Sequence, residues 1–185
     1  MMISDGDLYK AYLAGDDSGL ELLVERYGDR LSYYIKGYIH DLQDSEDLMI
    51  ESFAYLISKK PRIREGAFRA YLYKMARNLS LRFITKKRLN HSFSLEEIDK
   101  EPESKILIEE LIEKEEFNQS LHLCMDQLKS DYREALYLVY FENMHHSEAA
   151  KVMKKSERQV ADLLYRGRNS LRKHLEGEGI TNADY

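Results

Sequence analysis

The chain has 185 residues, 33% of them charged and 43% hydrophobic, with 9 Gly, 2 Pro, 1 Cys, no Trp and a formal net charge of -5. Many charges and few helix breakers suit amphipathic helices, and they argue against disorder, a strand-rich sandwich or a disulfide scaffold. No apolar run approaches the roughly 18 residues that a membrane span needs, and the stretch from Met1 to Asp7 lacks the basic start and apolar core of a leader, so a cytoplasmic chain with no membrane insertion is expected.

Apolar residues recur at three and four from Asp7 to Ile57, as in Leu20, Leu23, Val24, Tyr27, Leu31, Tyr34, Ile35 and Tyr38. That spacing predicts consecutive helices, broken at Gly15 to Ser18 and at His40 to Ser45, where Asp or Ser side chains can cap the next helix. A third helix is expected from about Ser45 to Ser58. A turn over Lys59 to Gly66 precedes a fourth helix from about Ala67 to Arg88. On a helical wheel Phe68, Leu72, Met75, Leu79 and Phe83 share a stripe that should pack, with Tyr73, Lys74 and Arg77 opposite.

From His91 to Ser104 periodicity fades and Pro102 appears, so residues 93–104 are expected to link a domain over 1–92 to a second over 105–176, followed by a tail over 177–185. An acidic amphipathic helix is expected from Lys105 to Gln127, burying Ile108, Leu111, Ile112, Phe117, Leu121, Cys124 and Leu128. Cys124 reads as a small buried hydrophobe. The last third reads as a helix-turn-helix: Asp131 to Glu142, Ser147 to Met153, a turn at Lys154 and Lys155, then Ser156 to Leu175. Ser156 and Gln159 have capping-box spacing, and Val160, Leu164, Gly167, Leu171 and Leu175 form the inner face. The fold class is therefore all-α, two small helical domains joined by a linker, the C-terminal one a helix-turn-helix.

Charge is segregated along this frame. Residues 1–60 carry 6 bases and 12 acids, 61–90 carry 9 and 1, 91–131 carry 4 and 12, and 132–185 carry 9 and 8. The basic fourth helix mixes Arg69, Lys74, Arg77, Arg82, Lys86, Lys87 and Arg88 with Tyr71, Tyr73 and Phe83, a combination that suits phosphates and unstacked bases. Tyr73 on the cationic face is the expected stacking residue. The acidic third helix, with Asp44, Glu46, Asp47 and Glu51, is open to two readings, a protein-docking face or ordinary solvation and capping. His145, His146, Glu148, His122 and Cys124 have no metal-ligand spacing, and no glycine loop could cradle a phosphate, so neither an enzyme nor a cofactor is expected.

Several segments together resemble the extracytoplasmic-function group of the sigma-70 family, the bacterial RNA polymerase initiation factors. They are Ala14 to Asp16 with Leu22 to Tyr27, the acidic run Asp44 to Phe53, and the run Phe68 to Asn78. The resemblance implies that Asp44, Glu46, Asp47 and Glu51 bind the largest-subunit clamp of core RNA polymerase. It implies that the basic helix, with Arg77 and Asn78, captures flipped bases of the minus-10 promoter element and assists melting. By the same resemblance the helix-turn-helix reads the minus-35 element and contacts the polymerase flap, the linker threads the polymerase channels, and an anti-sigma factor is a further partner. On structural grounds Arg158, Gln159, Tyr165, Arg166 and Arg168 are the minus-35 candidates.

Departures from the family pattern are Ile50 for a common Gln, Ile57 and Tyr71 for common Trp, and Arg82 for a common acid. In the second domain Lys154 and Lys155 replace Gly-Ile, and Gln159 to Leu163 replaces a Thr-Val-Lys-Ser-Arg run. A stand-alone helix-turn-helix regulator and a sigma-like adaptor that does not read DNA remain the alternatives.

Overall fold

A computed structural model describes residues 3–91 and 115–177, and among these every regular element is helical. The expected linker 93–104, most of the expected acidic helix before Glu115 and the tail after Gly177 lie outside the described residues. The chain divides into two compact units. No described helix is long and apolar enough to cross a membrane.

The N-terminal unit comprises α1 (Asp5–Leu13), α2 (Ser18–Ile39), α3 (Leu42–Lys59) and α4 (Phe68–His91). Polar caps set the starts: Ser4 Oγ accepts the Asp7 N–H at 3.1 Å, and Asp41 Oδ1 accepts that of Asp44 at 2.8 Å. The Asp41 cap explains why α3 begins three residues before Ser45, the expected start. Arg26 and the Tyr27 hydroxyl both donate to the Asp5 carboxylate, tying α1 to α2. The two helices cross closely at Gly19, where an added Cβ would lie 2.2 Å from the Leu8 carbonyl oxygen.

Their core is unusually aromatic. Tyr9, Tyr12, Tyr27, Tyr34, Phe68 and Tyr73 are all buried among Leu23, Leu31, Ile35, Leu56 and Leu72. Tyr9 meets Phe68 at 5.3 Å, and Tyr34 and Tyr27 meet Tyr73 edge-on at 5.0 and 6.3 Å between ring centroids. Ser52 and Ser80 are fully buried and return their hydroxyls to the Leu48 and Ala76 carbonyls at 2.8 and 2.9 Å.

Tyr9 also fixes the segment that leads into α4, because its hydroxyl donates to the Pro61 carbonyl at 2.9 Å. Burial, with the Tyr71 and Tyr12 phenols adding to it, pushes Tyr9 from an ordinary 10.0 up to about 12. A group whose folded-state value is raised lends stability that is complete below its unfolded value and lost as pH climbs through the folded one. The unit is therefore expected to lose stability between pH 10 and about 12. Urea titrations across that window should show the loss in the wild type and a flatter profile in Tyr9→Phe.

The C-terminal unit comprises α5 (Glu115–Asp126), α6 (Ser130–Leu136), a π-helical continuation of α6 over Tyr137–Phe141, α7 (His146–Met153) and α8 (Glu157–Gly177). The expected single helix from Asp131 to Glu142 thus widens in its last turn, with Tyr137 and Phe141 stacked at 5.4 Å. Cys124, Met125, Leu128, Leu136, Leu138, Val152, Met153, Val160 and Leu164 are buried, whereas Leu121 and Leu171 are only half-buried. Gly167 lets α8 approach α6, since a Cβ there would lie 3.2 Å from Leu136 Cδ1 and 3.3 Å from Tyr132 Cβ.

Between α7 and α8 the turn places Lys154 in the left-handed region, φ 55°, a position glycine takes without strain. Lys155 Nζ reaches Asp131 Oδ2 at 3.1 Å, tying the same turn to α6. His145 and Glu148 also have a structural use, because the His145 N–H donates to the Glu148 carboxylate at 3.0 Å at the start of α7.

Candidate nucleic-acid and partner interfaces

The outer face of α3 is acidic with an apolar strip. Glu46, Asp47 and Glu51 are exposed, and beside them Ile50 and Ile57 keep 59% and 49% of their surface open, with exposed Ala54 between. Asp44 departs from this face. It is half-buried, and its carboxylate pairs with Lys87 Nζ of α4 at 3.3 Å. Sequence spacing groups Asp44 with the docking acids, but its place in the first turn of α3 turns it toward α4.

On α4, Lys74, Arg82, Lys86, Lys87 and Arg88 are exposed, while Arg69, Arg77 and Asn78 are half-buried. Lys74, Asn78, Leu81, Thr85 and Arg88 follow one another at three and four residues, giving an outer track of mixed cationic and polar character. Lys87 is partly withdrawn from it, since its ammonium serves Asp44 and also lies 5.6 Å from the Phe83 ring centre.

Tyr73 is not on that track. Its relative exposure is 0%, so the expected stacking residue is a core residue. The buried line runs through Phe68, Leu72, Tyr73, Ala76 and Ser80, rotated from the expected stripe, and leaves Met75, Leu79 and Phe83 half-buried at its edge. The small residues Ala76 and Ser80 are fully buried on that line, and Tyr27 and Tyr34 of α2 receive the Tyr73 ring edge-on. The aromatic near the outer face is Tyr71, half-buried at the head of α4 and coupled to Tyr55, which is 41% exposed. Burial first, then the Tyr55 phenol, raises Tyr71 above the ordinary tyrosine value.

All five candidate residues of α8, Arg158, Gln159, Tyr165, Arg166 and Arg168, are exposed, Tyr165 to 63%. Two are engaged within the helix. The Ser156 N–H donates to Gln159 Oε1 at 2.8 Å and the Gln159 N–H to Ser156 Oγ at 3.2 Å, completing the capping box. Gln159 is thus committed to the cap. Recognition of adenine through both ends of its amide would require that cap to open. Arg166 Nη2 pairs with Asp162 Oδ2 at 3.1 Å.

The stretch containing α3 and α4 matches the family description Sigma-70 region 2 over residues 23–89, and that containing α6 to most of α8 matches Sigma-70, region 4 over 118–171. The chain belongs to the sigma-70 family, in its extracytoplasmic-function group. It is 25% identical to the RNA polymerase sigma-H factor of Pseudomonas aeruginosa, over 93% of this chain and 94% of that one. It is 26% identical to the ECF RNA polymerase sigma factor SigE of Mycolicibacterium smegmatis, covering 83% of this chain and 60% of SigE.

Among solved structures, this sigma factor shares its fold with RpoE of Bartonella quintana, solved with the anti-sigma factor NepR. There the TM-score is 0.65 at 17% identity, covering 84% of this chain and 96% of that one. It likewise shares its fold with CnrH, solved with the cytosolic domain of CnrY, at a TM-score of 0.61 and 20% identity over 94% and 97% of the two chains.

Proposed function

We propose that this sigma factor binds the clamp of core bacterial RNA polymerase through Glu46, Asp47, Ile50, Glu51 and Ile57 of α3. Docked there, α4 receives the minus-10 element and α8 the minus-35 element, and the holoenzyme opens the promoter. The observation that carries this reading is the pairing, within one unit, of an exposed acidic and apolar helix face with a neighbouring helix that is basic on its outer track. Lys74, Arg82, Lys86 and Arg88 hold phosphates, Arg77 and Asn78 meet the captured strand, and Tyr71 takes the stacking role that buried Tyr73 cannot fill. Region 4 contacts the flap.

The protein is a non-enzymatic, cytoplasmic initiation factor that needs no cofactor. With a net charge of -5 and Lys87 held by Asp44, the free chain binds DNA weakly. An anti-sigma factor is a further partner class, in keeping with the complexes in which the fold relatives were solved. A stand-alone regulator would have no use for the α3 face.

The test is transcription of a genomic promoter library by core polymerase with and without this protein. New transcript starts are expected, and their absence would sink the assignment. In the same assay Arg77→Ala is expected to keep polymerase binding while lowering open-complex formation about tenfold, in the range of one lost base contact. Permanganate footprints unchanged by the substitution would remove Arg77 from strand capture.

A further inference from the structure

The exposed face of α8 carries an acid where a surface that approaches DNA would gain most from bases. Asp162 is one helical turn after Arg158 and one before Arg166, and its carboxylate engages Arg166 at 3.1 Å. Acid before base at this spacing is the favoured order. Both side chains are largely in water, 53% and 61% exposed, so the pair contributes little to folding. Its consequence is geometric.

A guanidinium is a planar fork with five donors, free when unpaired to take either a phosphate or a base edge. Asp162 holds an Nη2 donor and repels phosphates, leaving the remaining edge of the fork to a neutral acceptor pair. In the major groove that pair is guanine O6 and N7. The helix beneath is well anchored by buried Val160 and Leu164, by the close α6 contact at Gly167 and by the Ser156 cap, so the fork starts from a fixed base.

We infer that Asp162 is a positioning residue that directs Arg166 to a guanine in the minus-35 element and away from the backbone. This rests on the reading of α8 as the minus-35 helix. It makes an acid a source of specificity: Asp162 weakens the general attraction of α8 for DNA and sharpens its choice of base.

The test uses holoenzyme assembled with wild type, Asp162→Ala, Asp162→Asn and Arg166→Ala on a library randomised in both promoter elements, with transcripts sequenced. Wild type is expected to prefer guanine at one minus-35 position by about tenfold or more, the range of a good bidentate contact. Arg166→Ala should abolish that preference. Asp162→Ala should flatten it to below about threefold while total transcription holds or rises, because a charge facing phosphate has gone. Asp162→Asn, which keeps an acceptor oxygen and the side-chain size, should fall between, and minus-10 preferences should stay as in wild type.

A guanine preference that survives intact in Asp162→Ala or in Arg166→Ala overturns the inference, as does a wild type with minus-10 dependence and no minus-35 base preference. Either result leaves the sigma assignment standing. A wild type that starts no transcripts overturns both.

Discussion

Replacing Tyr73 with Ala is expected to lower the unfolding free energy of the N-terminal unit by about 3–5 kcal/mol, the usual cost of removing a buried aromatic ring. The ring is fully enclosed and meets Tyr34 and Tyr27 edge-on, contacts that add about 0.5–1.5 kcal/mol each beyond area burial. Domains of this size have only about 5–15 kcal/mol to lose, so the variant should be visibly destabilised at physiological temperature. Lys74, the next residue, is exposed, and Lys74→Ala should shift stability by no more than about 0.5 kcal/mol while weakening promoter binding. Urea denaturation of the full chain, followed by hydrogen exchange at the α2 and α4 amides, reads this unit by itself. A Tyr73→Ala loss below about 1 kcal/mol would return Tyr73 to the surface and to a base-stacking role.

The contrast between Tyr73 and Lys74 shows which properties a one-dimensional pattern carries. Helix existence follows from apolar spacing and from short polar breaks, so α1 to α4 and the helix-turn-helix are readable, as are the Ser156 cap and the buried Cys124. The rotation of a helix about its axis depends on how volumes fit. Ala76 and Ser80 score as weakly apolar or polar, yet both are fully buried on the same line of α4 as Tyr73. Gly19 is silent for the same reason, since nothing local distinguishes it from a helix-weakening glycine until the Leu8 carbonyl is seen beside it. At the candidate sites, charge identity was readable and charge pairing across elements was not. Asp44 with Lys87 joins residues 43 positions apart. Asp162 with Arg166 has the local four-residue spacing that a sequence can display, but spacing alone does not distinguish a formed pair from two separately solvated charges.

The docking face yields the second large effect. Asp47→Ala combined with Glu51→Ala is expected to weaken binding to core polymerase by about 3 kcal/mol, roughly a hundredfold in Kd. In water each carboxylate is solvated and contributes almost nothing to the fold, so stability should move by no more than about 0.5 kcal/mol. In the complex proposed above the same carboxylates would be desolvated against cationic partners, and truncation would leave those partners buried without a counter-charge, so the penalty is expected only on binding. On the same proposal the exposed strip of Ile50, Ala54 and Ile57 would supply the dry contact that excludes water around them. Ile50→Ala is therefore expected to cost about 1 kcal/mol of affinity through lost apolar burial. Asp44→Ala is the discriminating control. Its carboxylate already serves Lys87, so its removal should cost about 0.2–1 kcal/mol of stability, as an exposed ion pair does, and should leave polymerase affinity within about threefold. Titration of labelled protein with core polymerase at two ionic strengths measures all three variants against the wild type. An Asp44→Ala loss equal to that of the Asp47 and Glu51 pair would redraw the docking face across the α3 and α4 contact, whereas the expected order confines it to the outward side of α3.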